Sequence, residues 1–289
     1  MVTALAVHTF SVDGWTCGAV DAEGVEWRLT DVEGWFGRSG VGARTARDDR
    51  PGRDGQLRGP SYRTERVITL GGLANAPDAA TLDAAGEVFA AVCDDATALH
   101  TLVGTDASGI DKQAMVELNA ESKFEHQTGT VAAWQIQFAA PDPLRYATVA
   151  STASCGLATT TGGLTFPLAF PLDFGVGAGG GTLLLTNAGN TATWPTWTIT
   201  GPVTNPVILN TATGQRLALS GLTIDAGQTL TLDTDARTVM LQGVASRRGK
   251  LTADSAWFGL RPGATPIAFQ ASTYDVNANL SAAWRSAWS

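Results

Sequence analysis

Short runs of alternating apolar and polar residues, closed by turn sequences, fill the chain from residue 181 to residue 270. Trp197 and Ile199 alternate on one face, which is typical of a half-buried strand. Three prolines interrupt the same stretch: Pro195, Pro202 and Pro206. Because proline lacks a backbone N–H donor, it suits strand starts, edges and turns. The pattern favours β structure and leaves little room for long helices.

Two hairpins are predicted in this half of the chain. In the first, Thr213-Gly214 separates two apolar runs and supplies a glycine for a positive φ. The strands of this first hairpin are predicted at 207–210 and 215–219. Those of the second hairpin are predicted at 229–232 and 238–241. A closing strand pair is predicted at 257–258 and 267–269. Short strands at this spacing indicate a C-terminal antiparallel β-sandwich domain over residues 181–289.

The N-terminal domain, residues 1–147, is predicted to be mainly β with one helix. The clearest strand is 134–138, where apolar and amide residues alternate. Further strands are predicted at 25–29, 62–70, 99–104 and 115–119, with a turn at 31–37. The helix is predicted within 76–94, with Pro77 in its first turn and Asn75 or Ala76 near the cap. One face of that helix is apolar: Leu82, Ala85, Phe89 and Val92.

Residues 148–180 are interpreted as a linker followed by a Phe-Pro-Leu segment that packs on the second domain. The first part is rich in Ala, Ser, Thr and Gly, so it gains little from burial. At the other end of the chain, Trp284 and Trp288 carry a large apolar area. They are predicted to dock on this chain or on a partner.

Composition excludes several classes of function. With 44% hydrophobic and 16% charged residues, the chain is globular and not disordered. The net charge of −8 argues against bulk binding to nucleic acid or to an anionic membrane. The three cysteines are odd in number and far apart, which fits a reducing cytoplasm rather than a disulfide framework. Neither a membrane span nor a signal peptide is expected.

No motif of catalytic, cofactor or metal-binding chemistry is found. The three histidines His8, His100 and His126 have no cysteine or carboxylate at zinc-ligand spacing in the sequence. The adjacent carboxylates at 48–49 and 94–95 suit solvated loops better than a hydrolase cleft. Nucleophile elbows, phosphate loops and dinucleotide fingerprints are missing as well. The chain is therefore predicted to be no enzyme and to need no cofactor.

Arginines crowd the segment between residues 38 and 58, which is interpreted as a polar loop. They are Arg38, Arg44, Arg47, Arg50, Arg53 and Arg58. A solvated, mobile loop is one interpretation of such a charge run. The preferred one is a contact with another subunit or with a tube, because arginine forms bidentate pairs with carboxylates. Interleaved acidic residues and the lack of aromatic residues disfavour nucleic-acid binding.

An ordered set of segments along the chain resembles the distal tail proteins of long-tailed bacteriophages, the Dit-like family. In the N-terminal half they are 31–37, the Arg-rich segment with Asp54-Gly55, 62–68 and 138–146. In the C-terminal half they are the Phe-Pro-Leu segment 166–175, 187–190, 194–206, Thr213-Gly214, 241–243 and 260–263. Each piece is short, but together they span most of the chain in the expected order.

This resemblance implies a ring-forming N-terminal β domain and a galectin-like C-terminal sandwich. It further implies a hexameric ring at the distal end of the virion tail, assembled in the host cytoplasm, with DNA passing through it unbound. The partners would be the tail tube protein on one side and the tail-tip hub and receptor-binding proteins on the other.

Two alternatives stay open at this point. Trp194, Trp197 and Trp257 suit a sandwich core or interface, but aromatic rings also stack on sugars, so a carbohydrate-binding module for host cell-wall glycan is the alternative function. A cell-wall hydrolase is supported by location alone.

Overall fold

The computed structural model of the chain describes residues 8–106, 109–158 and 181–289. The chain divides into an N-terminal unit, residues 1–148 with Ser289, and a C-terminal unit, residues 149–288. Both are built mainly from antiparallel sheets, as the sequence predicted. No helix within the described ranges has the length and apolar character that a membrane crossing requires.

Strands of the N-terminal unit line up in the order β2-β1-β7-β8-β10-β6-β4-β3, with β5 beside β6, β9 beside β10 and β11 beside β8. The strands are β1 (Thr9–Val12), β2 (Trp15–Cys17), β3 (Ala19–Val20), β4 (Glu26–Glu33), β5 (Val41–Asp49), β6 (Gln56–Asn75), β7 (His100–Thr105), β8 (Asp111–Leu118), β9 (Lys123–His126), β10 (Val131–Ala140) and β11 (Arg145–Ala147). The longest pairing joins β10 to β6, from Val131 opposite Asn75 to Ala140 opposite Arg66.

Helix α1 (Ala79–Ala90) covers the core of this unit. Its predicted apolar face is confirmed, because Leu82, Ala85, Phe89 and Val92 are all buried. Aromatic rings fill the space beneath it: Trp15 makes edge contacts with Trp27, Phe89 and Trp134, at centroid distances of 5.4, 5.3 and 5.2 Å. Such aromatic packing buries a large apolar area and stabilises the unit.

The predicted cap of α1 is wrong by two or three residues. Asp78 is the N-cap, and its side chain accepts a hydrogen bond from the Thr81 N–H at 2.8 Å. Pro77 therefore precedes the cap. The reason is chemical: an aspartate carboxylate satisfies a free N–H of the first turn, which neither Asn75 nor Ala76 is placed to do. Strand β4 also continues to Glu33, through part of the predicted turn at 31–37.

The C-terminal unit contains two main sheets, ordered β12-β23-β14-β19-β20-β21 and β13-β22-β16-β17, and a small β15-β18 pair. The strands are β12 (Ser151–Gly156), β13 (Thr182–Asn187), β14 (Thr196–Thr200), β15 (Val203–Thr204), β16 (Val207–Asn210), β17 (Arg216–Ala218), β18 (Thr223–Ile224), β19 (Thr229–Asp233), β20 (Thr238–Leu241), β21 (Ala245–Ser246), β22 (Gly263–Gln270), β23 (Asn279–Trp284) and β24 (Ala287–Trp288). One 3-10 turn, Arg248–Lys250, follows β21.

Both main sheets contribute to a single core, as in a sandwich. Trp197 and Ile199 on β14, Ile208 on β16 and Phe269 on β22 are each buried within it. The predicted hairpins are present, since β16 pairs with β17 and β19 pairs with β20. The two-residue alternation of the sequence therefore corresponds to the inward and outward faces of these strands.

Two predictions for this half of the chain are wrong. Residues 151–156 are no linker but strand β12, which pairs along its whole length with β23. Backbone hydrogen bonds to a strand far along the chain order a segment whose side chains are too small to signal burial. Residues 257–258 form no strand, and β22 pairs instead with β13 and β16. The Phe-Pro-Leu segment 166–175 lies outside the described residues.

Candidate functional site

The most unusual element of the N-terminal unit is a long hairpin, here named the arm, made of β5, the turn 50–55 and the first ten residues of β6. No residue of the arm, 41–65, is buried on either face. At about 3.3 Å per residue, its ten-residue β6 segment extends for about 30 Å. From Arg66 onward the same strand enters the core. One strand thus joins the body of the unit to an exposed ribbon.

The arm is a two-stranded ribbon with both outer edges open. Among the described residues, β6 pairs with β10 only from Arg66 and with β4 only from Thr69, so 56–65 pairs with β5 alone. Isolated two-stranded hairpins are marginally stable in water, and unpaired edges are templates for further pairing. Two large apolar side chains, Leu57 and Tyr62, are also 52% and 60% exposed. These features are typical of a surface that packs against a partner.

Charge on the arm is unbalanced. Arg47 lies directly opposite Arg58 in the β5–β6 register, a placement of like charges that destabilises a hairpin. Within the described part of the chain, no carboxylate forms an ion pair with any of the six predicted interface arginines. The arm, residues 41–65, holds six arginines and four carboxylates, a net charge of +2, on a chain whose net charge is −8. The arm is therefore a basic element on an acidic protein.

The prediction of a polar loop between residues 38 and 58 is wrong. Arg44 and Arg47 lie on β5, Arg58 lies on β6, and Arg50 and Arg53 lie in the turn that joins these strands. Arg38 lies in the turn before β5. All six predicted interface arginines are exposed. Because both faces of the ribbon meet solvent, no apolar alternation marks its strands in the sequence.

The root of the arm is fixed by Arg66, which is fully buried. Its guanidinium donates to the carbonyl oxygens of Gly34 at 2.7 Å, Gly37 at 3.1 Å and Pro143 at 2.8 Å. Burial lowers the pKa of Arg66 to about 10, with a further lowering by the charge of Arg145. The side chain remains charged at neutral pH and binds the turn 34–40 to β6.

The two predicted docking tryptophans differ in exposure. Trp284 lies in the core of the C-terminal unit, and its indole N–H donates to the carbonyl of Thr186 at 3.0 Å. It therefore packs on its own unit and leaves little surface for a partner. Trp288 is partly exposed.

The three tryptophans considered for sugar stacking do not share a surface. Trp197 is fully buried in the core, whereas Trp194 is 38% exposed and Trp257 is partly buried. A binding face formed by all three rings is therefore excluded for this arrangement, because the central ring of the set is enclosed by the sheets. The core interpretation of Trp197 is confirmed.

One cluster of reactive side chains was missed by sequence spacing. His100 lies beside Asp13 and Cys93, whose ligand atoms come within 4.8 Å of one another. Spacing along the sequence places no cysteine or carboxylate beside a histidine, whereas the fold places both beside His100. The three residues are separated by up to 87 positions in the chain, so only the folded sheet brings them together.

Comparison with known proteins gives a match for the C-terminal unit. Residues 188–288 match the family described as siphovirus-type tail component, C-terminal domain. No curated protein sequence matches the chain.

Solved structures match over nearly the whole chain. The Dit protein (gp 19.1) of phage SPP1, described as a paradigm of the hub adsorption apparatus in phages that infect Gram-positive bacteria, matches with a TM-score of 0.62 and 13% identity. The match covers 96% of this chain and 98% of that one. Two structures of the phage p2 baseplate in its activated conformation, with Ca and with Sr, have TM-scores of 0.45 and 0.44 and identities of 11% and 10%, at the same coverage. The resemblance predicted from the sequence is thus confirmed: residues 188–288 match the siphovirus-type tail component family, and the whole chain has a fold similar to that of the SPP1 Dit protein.

Proposed function

We propose that this chain is a structural hub of the phage tail, without enzymatic activity, which forms a ring between the tail tube and the tail tip. The observation that carries this proposal is the arm: a basic ribbon with two open edges, exposed on both faces. A protein that works alone gains nothing from such an element, whereas an assembly component uses it to reach a neighbour.

The arm's partner in the ring is a second copy of the chain. Charge complementarity supports this choice, since the residues outside the arm carry a net charge of −10, opposite in sign to the +2 of the arm. Residues 76–99, which include α1, contain five carboxylates and no lysine or arginine. When the arm of one copy contacts an acidic surface of the next, the interface is head-to-tail and closes by rotation. Six copies are expected from the resemblance to distal tail proteins.

The contacts with other tail proteins follow from the same proposal. The N-terminal unit would stack on the tail tube protein, and the exposed arginines Arg38 and Arg53 would contribute to the ring or tube contact. The C-terminal unit would hold the tail-tip hub and receptor-binding proteins, with Trp288 among its contact residues. DNA would pass through the ring without specific binding. The SPP1 Dit protein, which has a similar fold, is described as a hub of the adsorption apparatus, and this supports the assignment.

The proposal is tested by measuring the mass of the full chain in solution by light scattering, with negative-stain images of the same sample. A ring with a central hole is expected. Reversing two arm charges, with Arg47→Glu and Arg50→Glu, should shift the population to monomers, because like charges then face each other across the interface. The circular dichroism spectrum should stay unchanged.

A matched control places the same charge change away from the arm. Arg237 and Arg261 are exposed in the C-terminal unit, so Arg237→Glu with Arg261→Glu should leave the ring intact. If the arm variant assembles as the unmodified chain does, the arm is not the ring contact. If the unmodified chain is monomeric both alone and with tail tube protein, the hub assignment itself is wrong.

A further inference from the structure

Three metal-ligand side chains from separate segments meet at one end of the N-terminal unit. Asp13 lies in the turn between β1 and β2, Cys93 follows the end of α1, and His100 begins β7. Their ligand atoms, a carboxylate oxygen, a thiol sulfur and an imidazole nitrogen, all lie within 4.8 Å of one another. The Cys93 N–H also donates to Asp13 Oδ2 at 3.2 Å, which fixes the carboxylate beside the thiol.

Both ring nitrogens of His100 lie close to an oxygen atom. A neutral ring carries only one N–H, so one of these two contacts is left without a proton. Its Nε2 lies 3.0 Å from the carbonyl oxygen of Asp95, an atom that only accepts, so the ring proton belongs on Nε2. The lone pair of Nδ1 then faces Asp13 Oδ2 at 2.6 Å. Two acceptors at this distance repel unless a proton or a metal cation lies with them. A backbone carbonyl on the far nitrogen is also the usual support of a metal-binding histidine.

Backbone conformation singles out Cys93 within this cluster. Its φ is 57°, in the left-handed region that glycine and asparagine usually occupy after a helix. Asp13 has a φ of 48°, but the Asp-Gly turn of its hairpin accounts for that value. Cys93 takes this helix-end position, where a residue without a bulky side chain is usual. A side chain held in a rare conformation beside two other ligands points to a function of the side chain itself.

We propose that Asp13, Cys93 and His100 bind one zinc ion that joins the β1–β2 turn, the end of α1 and the start of β7. Sulfur, nitrogen and oxygen donors together suit zinc, which is bound by four ligands in a tetrahedron. A water molecule takes the fourth position, since the Asp13 side chain is 36% exposed and opens the site to solvent. On binding, the Cys93 thiol loses its proton to solvent and the thiolate sulfur bonds to the metal.

Loading the site moves the carboxylate by a small distance. Two ligands of one tetrahedral zinc ion lie about 3.3 Å apart, against 2.6 Å between Asp13 Oδ2 and His100 Nδ1. Rotation of the Asp13 side chain in its exposed turn supplies the difference. Cys93, which is buried, and His100, which is half-buried, stay where the helix end and β7 hold them.

Cobalt titration of the full chain, after treatment with a chelator, tests the proposal. One cobalt ion per chain is expected, with a thiolate-to-cobalt charge-transfer band that zinc abolishes by displacement. Cys93→Ser should lose the band, and Asp13→Asn, which keeps the shape of the side chain, should weaken zinc binding. Cys155→Ser, at the partly buried cysteine of the C-terminal unit, should leave the band and the stoichiometry unchanged.

Two outcomes would overturn the zinc site. The first is no band and no zinc binding by the unmodified chain, which would leave a plain imidazolium–carboxylate pair between His100 and Asp13. The second is a band that survives in Cys93→Ser, which would put the metal elsewhere. Should Cys93→Ser fail to fold, zinc binding by Asp13→Asn equal to that of the unmodified chain would overturn it instead. Ring assembly has no part in these measurements.

Discussion

Arg66 Nη1 donates to the backbone carbonyl of Gly34 at 2.7 Å, and this bond joins the turn before the arm to the strand that continues out of the core. The contact is close on the other side of Gly34 as well, because a Cβ at this position would lie 1.8 Å from the carbonyl oxygen of Val67. Gly34 is thus enclosed between the side chain of one β6 residue and the backbone of the next.

Replacing Gly34 by alanine should therefore destabilise the N-terminal unit strongly. Its φ of 78° alone costs an L-residue about 1–2 kcal/mol. The clash with a backbone oxygen adds to that cost, since backbone cannot turn aside as a side chain can. Gly37→Ala is the control, because Gly37 also has a positive φ, 59°, but open space where its Cβ would lie. Urea unfolding should show a clearly larger loss of unfolding free energy for Gly34→Ala than for Gly37→Ala. Equal losses would mean that Gly34 is not tightly enclosed at the base of the arm.

Removing the Arg66 guanidinium should also destabilise the base of the arm, where the turn 34–40 is bound to β6. Arg66→Ala leaves the carbonyls of Gly34, Gly37 and Pro143 without their donor, and the expected loss in unfolding free energy is about 3 kcal/mol. Arg66→Lys should recover only part of it, because a single ammonium cannot match the planar fork. Arg58→Ala, at an exposed arm position, should change the unfolding free energy by less than about 0.5 kcal/mol. Similar losses for Arg66→Ala and Arg58→Ala would contradict the anchoring role.

The sequence predicts an element of this fold where the residues of that element themselves carry the signal, and it fails where distant residues decide the structure. The β16–β17 hairpin was predicted because Thr213-Gly214 carries its own turn chemistry, and Gly214 indeed has a φ of 75°. The arm was missed because its strands meet water on both faces, so burial imposes no alternation on its residues. Strand β12 was missed because its order comes from β23, more than 100 residues later.

The candidate sites follow the same division. The arginines of the arm could be chosen from sequence, since their crowding is visible in the chain, but their placement opposite one another on two strands could not. The cluster of Asp13, Cys93 and His100 has no sequence signal at all. Its members come from a turn, a helix end and a strand start, and only the packing of α1 on the sheet brings them together.

Trp197 should be the most sensitive tryptophan of the C-terminal unit. It is fully buried, so Trp197→Ala should cost about 3–5 kcal/mol in unfolding free energy. Its indole N–H has no hydrogen-bond partner among the described residues, so Trp197→Phe should cost far less than Trp197→Ala. Trp194→Ala is the control, at 38% exposure. A Trp197→Ala variant as stable as Trp194→Ala would contradict the assignment of this ring to the core.

Acid should weaken α1 through its N-cap. Hydrogen bonds from Thr81 lower the pKa of the Asp78 carboxyl in the folded chain below its unfolded value. A group of this kind contributes stability above its unfolded pKa and loses it as the pH falls through the folded pKa. The melting temperature of the unmodified chain should therefore fall toward that of Asp78→Ala in acid. Asp78→Asn, which caps without titrating, should keep its advantage over Asp78→Ala at every pH. If the difference in melting temperature between the unmodified chain and Asp78→Ala stayed the same at every pH, the stabilisation by a charged cap would be refuted.

The cysteines should resist alkylation in the folded chain to different degrees. Burial raises the pKa of the Cys17 thiol to about 12 and that of Cys155 to about 11. Since the thiolate is the reactive form, both thiols are almost entirely protonated at pH of about 8, where a free cysteine ionises appreciably. Cys155 is only partly buried and should be modified first, whereas Cys17, with no exposed surface, should react only on unfolding. Mass spectrometry of the chain after iodoacetamide treatment, with and without urea, measures the order. Native modification of Cys17 as rapid as in urea would mean that the β1–β2 hairpin opens readily, and that the aromatic core beneath α1 does not hold it.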